Sequence, residues 1–272
     1  MQKEIAVPVI IEAVRKAGNL FLQDYKNNTI PTDKTDLLRQ LETIDERCLK
    51  LLEDEINPYY PEIPFLGEEF DFEGQASAIN TDDYWLCDFM DGAIQYLQHI
   101  NGWTINLVLI RNGQPYFSVI FDPIAKEMFW AMLGNGAFMN GKSIKPSIKK
   151  DSSIMVAVFE YGHQENGIKA LHLKTGAAVT RLLDHFGVVR NYGPHGLQLA
   201  YVGAGRIDVF YQEGQDAYNW LAGMLIAKEA GADVLTTDGK QWTWGDDSLL
   251  VTSPGTANLL FETIADQQND PS

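Results

Sequence analysis

Trp85-Leu86-Cys87-Asp88-Phe89-Met90-Asp91-Gly92-Ala93-Ile94-Gln95-Tyr96 is an apolar stretch interrupted by acid. Carboxylates at the end of an apolar strand are costly unless a cation or a metal ion compensates them. The spacing Asp88-x-x-Asp91-Gly92 lets a strand end bring two carboxylates and one intervening carbonyl to a point, although taken alone it equally spells a turn with solvated acids. Gly92 then allows a sharp turn into a helix whose N–H groups can hold phosphate. Donors that are all oxygen favour a hard cation, Mg²⁺ ahead of Zn²⁺. Gly67-Glu68-Glu69 follows Ile63-Pro64-Phe65-Leu66 in the same manner.

Upstream of this stretch, residues 3–25 and 36–56 carry apolar side chains at helical spacing, and Pro58, Pro61 and Pro64 then break the chain. Downstream, the runs Trp103–Ile110, Tyr116–Phe121 and Glu127–Met132 read as strands between turns. Arg111-Asn112-Gly113-Gln114 and Asn140-Gly141 are hairpin signals, because Asn-Gly tolerates positive φ. From about residue 150 strands alternate with helices. Ile154–Phe159 and Ile207–Tyr211 are predicted strands, and Leu249–Thr252 is a third before a last helix. Residues 165–175, Gly196–Gly203 and Leu221–Ala230 (stopped by Gly231) are predicted helices. The pattern divides the chain into an α+β half, 1–150, with the first acids, and an α/β half, 151–272.

The chain has 272 residues, 45% hydrophobic and 21% charged, enough for one large core or two intimate halves. Asp+Glu outnumber Lys+Arg by 37 to 21, a net charge of −16, which argues against nucleic acid and anionic membrane as partners. No apolar run reaches the roughly 18 residues a membrane span requires. Cys48 and Cys87 cannot build a disulfide framework, so a reducing cytoplasm is expected. Gly136-Ala-Phe-Met-Asn-Gly141-Lys142-Ser143 satisfies the phosphate-loop spacing. Pro146 opposes the helix such a loop needs, so a strand and tight turn is expected instead. The basic stretch Lys142–Lys150 reads as a solvated loop, and the five histidines show no zinc spacing.

Four blocks together resemble the inositol monophosphatase family. Glu42-Thr43-Ile44-Asp45 is similar to that family's T-x-x-D helix start, and Gly67-Glu68-Glu69 to its G-E-E. The 85–96 stretch resembles W-x-x-D-P-x-D-G-T-x-N-F, and Tyr218-Asn219-Trp220-Leu221-Ala222-Gly223 with Glu229-Ala230-Gly231 resembles W-D-x-A-A-G with E-A-G-G. The resemblance implies a layered αβαβα sandwich and a homodimeric, Mg²⁺-dependent phosphatase acting on a small phosphorylated metabolite. It places Glu68, Asp88 and the Met90 carbonyl on a first Mg²⁺, and Asp88, Asp91 and Asn219 on a second. Asp45 would support a third, weaker ion or a bound water. Phosphate would rest on the N–H groups of Gly92 and Ala93, and substrate hydroxyls would meet Gly193, Pro194, His195 and Gln212.

The departures from that pattern bear on activity. Asn219 replaces an Asp and removes one negative charge from the second ion, which is expected to weaken that ion at least ~10-fold. Ala93 replaces the Thr whose hydroxyl orients the attacking water, a loss of about 100-fold or more. Pro194 and His195 add bulk to a loop that is G-[ST]-A-A in the family. Two classes of function therefore stay open. One is an attenuated Mg²⁺-dependent phosphomonoesterase for a small sugar or inositol phosphate. The other is a catalytically inactive, phosphate-binding or regulatory homologue. Asp216 could act as a replacement ligand for Asn219, against an ordinary reading as a solvated loop acid.

Overall fold

The computed structural model describes residues 4–66, 74–79, 83–162 and 168–261. Two helices, α1 (Val7–Asp24) and α2 (Lys34–Ile56), precede an antiparallel meander. Its strands are β1 (Asp83–Asp91), β2 (Thr104–Arg111), β3 (Gln114–Asp122), β4 (Glu127–Met132), β5 (Ala137–Met139) and β6 (Lys142–Ser143), hydrogen-bonded in chain order. A one-and-a-half-turn helix, α3 (Ala93–Leu97), leaves the end of β1. The second sheet contains β7 (Val156–Tyr161), β8 (Val188–Arg190), β9 (Val209–Glu213), β10 (Asp233–Leu235) and β11 (Ser248–Thr252). Their order is β10-β11-β9-β7-β8; β7 runs parallel to β8 and β9, and the other pairings are antiparallel. Helices α4 (Ile168–His185), α5 (His195–Gly203) and α6 (Ala217–Ala230) complete the described chain.

Three apolar cores order these elements into five layers. The first sheet buries Trp85, Leu107, Val119 and Phe121 against Ile10, Val14, Ile44 and Leu52 of α1 and α2. Its opposite face buries Tyr84, Leu86, Val108 and Ile120 against Leu197 and Leu199 of α5 and Trp220 to Ala227 of α6. Phe210, Leu249 and Val251 of the second sheet close the same core from the far side. Ala157, Tyr211 and Leu250 then face Ala178 and Leu182 of α4. A sheet covered on both faces has no polar side to show, which is why β2 reads as a continuous apolar run broken only at its ends and at Asn106. A helix clasped between two sheets is apolar around its circumference, as α6 is. Gly223 of α6 fits the crossing with α5, where an added Cβ would lie 2.5 Å from the Gly196 carbonyl. The layering agrees with the αβαβα expectation.

Both hairpin signals form turns with two positive-φ residues. Asn112 and Gly113 have φ of 51° and 71° inside the Arg111–Gln114 pair, and Asn140 and Gly141 have 48° and 77° inside Met139–Lys142. The phosphate-loop spelling is thus strand β5, a turn and strand β6. The T-x-x-D block does not start a helix. It lies well inside α2, which begins at Lys34 with Asp33 capping the Asp36 N–H. The basic stretch is not wholly solvated either, because Lys149 Nζ reaches the buried Asp208 carboxylate at 2.7 Å. Among the described residues no helix is long and apolar enough to cross a membrane. The predicted last helix falls mostly beyond the described residues.

Candidate active site

Ordinary strand alternation would put residues three apart on opposite faces of β1. Asp88 faces Asn106 and Asp91 faces Thr104, so three steps on β1 match two on β2. This β-bulge turns Met90 into the helix-side core with Trp85 and leaves Asp91 on the α5–α6 face with Asp88. The side chain of Asn106 confirms the shared face, because its Nδ2 donates to Asp91 Oδ2 at 3.0 Å. Gly92 follows with φ 87°, and a Cβ there would lie 2.7 Å from the Gly102 carbonyl, so the turn into α3 requires glycine.

Asp91 is 4% exposed. Besides Asn106, its oxygens accept the backbone N–H of His195 at 3.2 Å and of Gly196 at 2.7 Å. The first turn of α5 is therefore capped by a carboxylate 104 positions away in sequence, in line with the positive end of the helix dipole. A Cβ on Gly196 would fall 2.6 Å from Asn106 Nδ2 and 3.1 Å from Asp91 Oδ2, which explains glycine where the family pattern has alanine. The His195 ring sits between two acids, with Nδ1 3.9 Å from Asp91 Oδ1 and Nε2 3.5 Å from Asp216 Oδ2. Burial alone would lower its pKa. The close Asp91 carboxylate, with the charges of Asp216 and Glu160, outweighs burial and raises it from an ordinary 6.5 to about 9.

Asp216 is not a solvated loop acid. It is the N-cap residue of α6, 2% exposed, and accepts Gln212 Nε2 at 3.1 Å and Asn219 Nδ2 at 2.7 Å. Asn219 thus turns its amide nitrogen to Asp216. Gln212 is fully buried, and its other amide end accepts the Trp220 indole N–H at 2.7 Å. Gln212, expected to meet substrate hydroxyls, is not among the residues lining the cavity described below; its amide meets Asp216 and Trp220.

A cavity of about 460 Å³ collects Asp45, Met90, Asp91, Gly92, Ala93, Gly193, Pro194, His195 and Asn219. Asp88 lies beside it in a pocket of about 10 Å³ shared with Asn106 and Asn219, the scale of a single water. Glu68 lies outside the described residues. Among those described, no three His, Cys, Asp or Glu side chains converge closely enough to hold a metal. Glu160 was missed by sequence reasoning although it carries the same signal as Asp88, an acid ending an apolar run. It accepts the Gly193 N–H, Gln198 Nε2 and Asn191 Nδ2, and so fixes the loop along one wall.

Asp45 has no hydrogen-bond or ion-pair partner among the described residues, and burial raises its pKa from 3.8 to about 6. The fold favours its protonated form, so its contribution to stability is complete below 3.8 and is lost as pH rises through about 6. Asp45→Asn removes that loss. After solvent screening of a partly exposed group, the metal-free variant is expected to exceed the parent by about 1–2 kcal/mol near pH 8 and to match it near pH 4. Urea titrations at the two pH values check this.

Residues 2–270 match the inositol monophosphatase family. A Nus factor SuhB from Xylella fastidiosa is 32% identical over 248 residues, covering 91% of this chain and 87% of the relative. The fructose-1,6-bisphosphatase/inositol-1-monophosphatase of Thermotoga maritima is 29% identical over 231 residues, covering 85% of this chain and 84% of the relative. The crystal structure of extragenic suppressor protein suhB from Bartonella henselae shares the fold with a TM-score of 0.76 at 23% identity, over 97% of this chain and 100% of that one. The family match over nearly the whole chain and the 32% identical relative agree: the chain belongs to the inositol monophosphatase family.

Proposed function

We propose that the chain hydrolyses a small sugar or inositol phosphate monoester with Mg²⁺, at a rate held down by Ala93, Asn219 and His195. The observation that carries this reading is the single cavity on which α2, the end of β1, α3, α5 and α6 converge, with Asp45, Asp91 and Asn219 in its lining. Its volume suits a monosaccharide-sized ligand. Asp45 and Asp88, with Glu68 and the Met90 carbonyl, would hold one Mg²⁺. Two features favour that seat: a half-buried Asp45 carboxylate with no hydrogen-bond or ion-pair partner among the described residues, and an Asp88 pocket of about 10 Å³. A bound divalent ion supplies charge neutralisation and a lowered water pKa. The Gly92–Ala93 turn offers N–H groups to phosphate, and the Gly193–Pro194 wall, fixed by Glu160, bounds the substrate alcohol. A homodimer in the cytoplasm belongs to the same reading.

Asp91 favours a second reading, a phosphate-binding homologue without turnover, because both of its oxygens already accept hydrogen bonds. Phosphate release from a panel of sugar and inositol phosphates, with and without Mg²⁺, separates the two. Slow Mg²⁺-dependent release that disappears in Asp88→Asn supports hydrolysis. Saturable ester binding without release supports the second reading, and neither binding nor release overturns both.

A further inference from the structure

We infer that His195 closes the seat that a second divalent ion would take between Asp91 and residue 219, so that the chain holds at most one such ion in this cavity. The inference rests on reading the cavity as a divalent-ion site for phosphate esters, and it concerns only how that site is filled.

Three independent features close the seat. Both Asp91 oxygens accept N–H donors, from Asn106, His195 and Gly196, at 2.7–3.2 Å. Three of the carboxylate's roughly four lone-pair positions are thereby taken, and a Mg²⁺ ion requires its oxygens at about 2.0–2.1 Å in near-octahedral array. Residue 219 brings a neutral amide whose Nδ2 donates to Asp216 at 2.7 Å, so it offers a divalent ion one uncharged oxygen and no carboxylate. The imidazole lies between Asp91 and Asp216, the acid that Asn219 also meets, with its two nitrogens 3.9 and 3.5 Å from those acids and its side chain only 14% exposed. Among the described residues, Nε2 has no hydrogen-bond partner nearer than that Asp216 oxygen.

The ring places a nitrogen toward each of two buried acids, and unlike a bound ion it offers no open position to a substrate oxygen. The exchange is internally consistent. Asp216 supplies the second acid that the ring needs, and Gly196 leaves room for Asn106 to complete the bonding of Asp91. Asn219 in place of Asp spares this pair of acids a third carboxylate.

Isothermal titration of the full chain with Mn²⁺, without any phosphate ester, counts the ions directly. The parent is expected to bind no more than one. His195→Ala/Asn219→Asp, which removes the ring and returns a carboxylate, is expected to gain a further ion at least tenfold tighter than any second binding by the parent. A parent that binds two ions overturns the inference whatever the variant does, so it stays testable if the variant fails to fold. A folded double variant, checked by circular dichroism, that gains no ion also overturns it. A parent that binds none, with one ion gained in the variant, upholds the closed seat and removes Mg²⁺ from the proposed function.

Discussion

Asp91→Ala is expected to lower the melting temperature of the metal-free protein by about 6–20 °C, from a loss of roughly 3–5 kcal/mol. A carboxylate kept chiefly for a metal behaves oppositely: its removal relieves repulsion with neighbouring acids and leaves the apo protein unchanged or more stable. Here Asp91 accepts from Asn106, His195 and Gly196, and it faces a His195 ring that its own charge helps to keep protonated. Deleting it strands two backbone donors at the start of α5 and an amide in the core between the sheets. Each unsatisfied buried group costs about 1–3 kcal/mol, and the imidazolium would lose one of its two acids. Differential scanning calorimetry in chelator measures the effect. No change, or a gain, would show that Asp91 is not a structural keystone of α5.

Ala93→Thr/His195→Ala/Asn219→Asp is expected to raise kcat/KM for the best small phosphate ester by about 100-fold or more over the parent. The three changes act on different parts of one reaction. A threonine in place of Ala93 would return a hydroxyl that orients water, and an aspartate in place of Asn219 would return charge. An alanine in place of His195 would vacate the space that the ring fills between Asp91 and Asp216. Groups that act as a unit are strongly non-additive, so Ala93→Thr alone should recover only a small part of the gain. Steady-state phosphate release across the single and triple variants tests this. A triple variant that binds additional Mn²⁺ yet hydrolyses no faster would place the limitation elsewhere.

The layered fold was legible because its signals are local. Periodicity marked α1 and α2, Gly231 marked the end of α6, Asn-Gly marked two turns, and the absence of polar alternation in β2 matched burial on both faces. The acids were legible as charges in apolar settings, and Glu160 would have been found by the same rule. Three things were hidden. Whether Asp88 and Asp91 share a face depends on a bulge, which no residue between them announces. Asn106 appears in sequence as a lone amide in an apolar strand, and its task is defined only when α5 arrives on the same face. The ring of His195 was expected to crowd substrate. Its position between two acids follows from Asp216, which looked like a loop residue until α6 was seen to begin there. Each hidden feature is a contact between elements far apart in the chain, set by packing of α5 and α6 between two sheets rather than by any local preference.

Crystals of the full chain soaked in Mn²⁺ give the most direct test, through the anomalous signal in the cavity. One peak within ligand distance of Asp88 and near Asp45, with the His195 ring still lying between Asp91 and Asp216, is the expected result. A peak bridging Asp91 and Asn219, with the ring swung away, would contradict it.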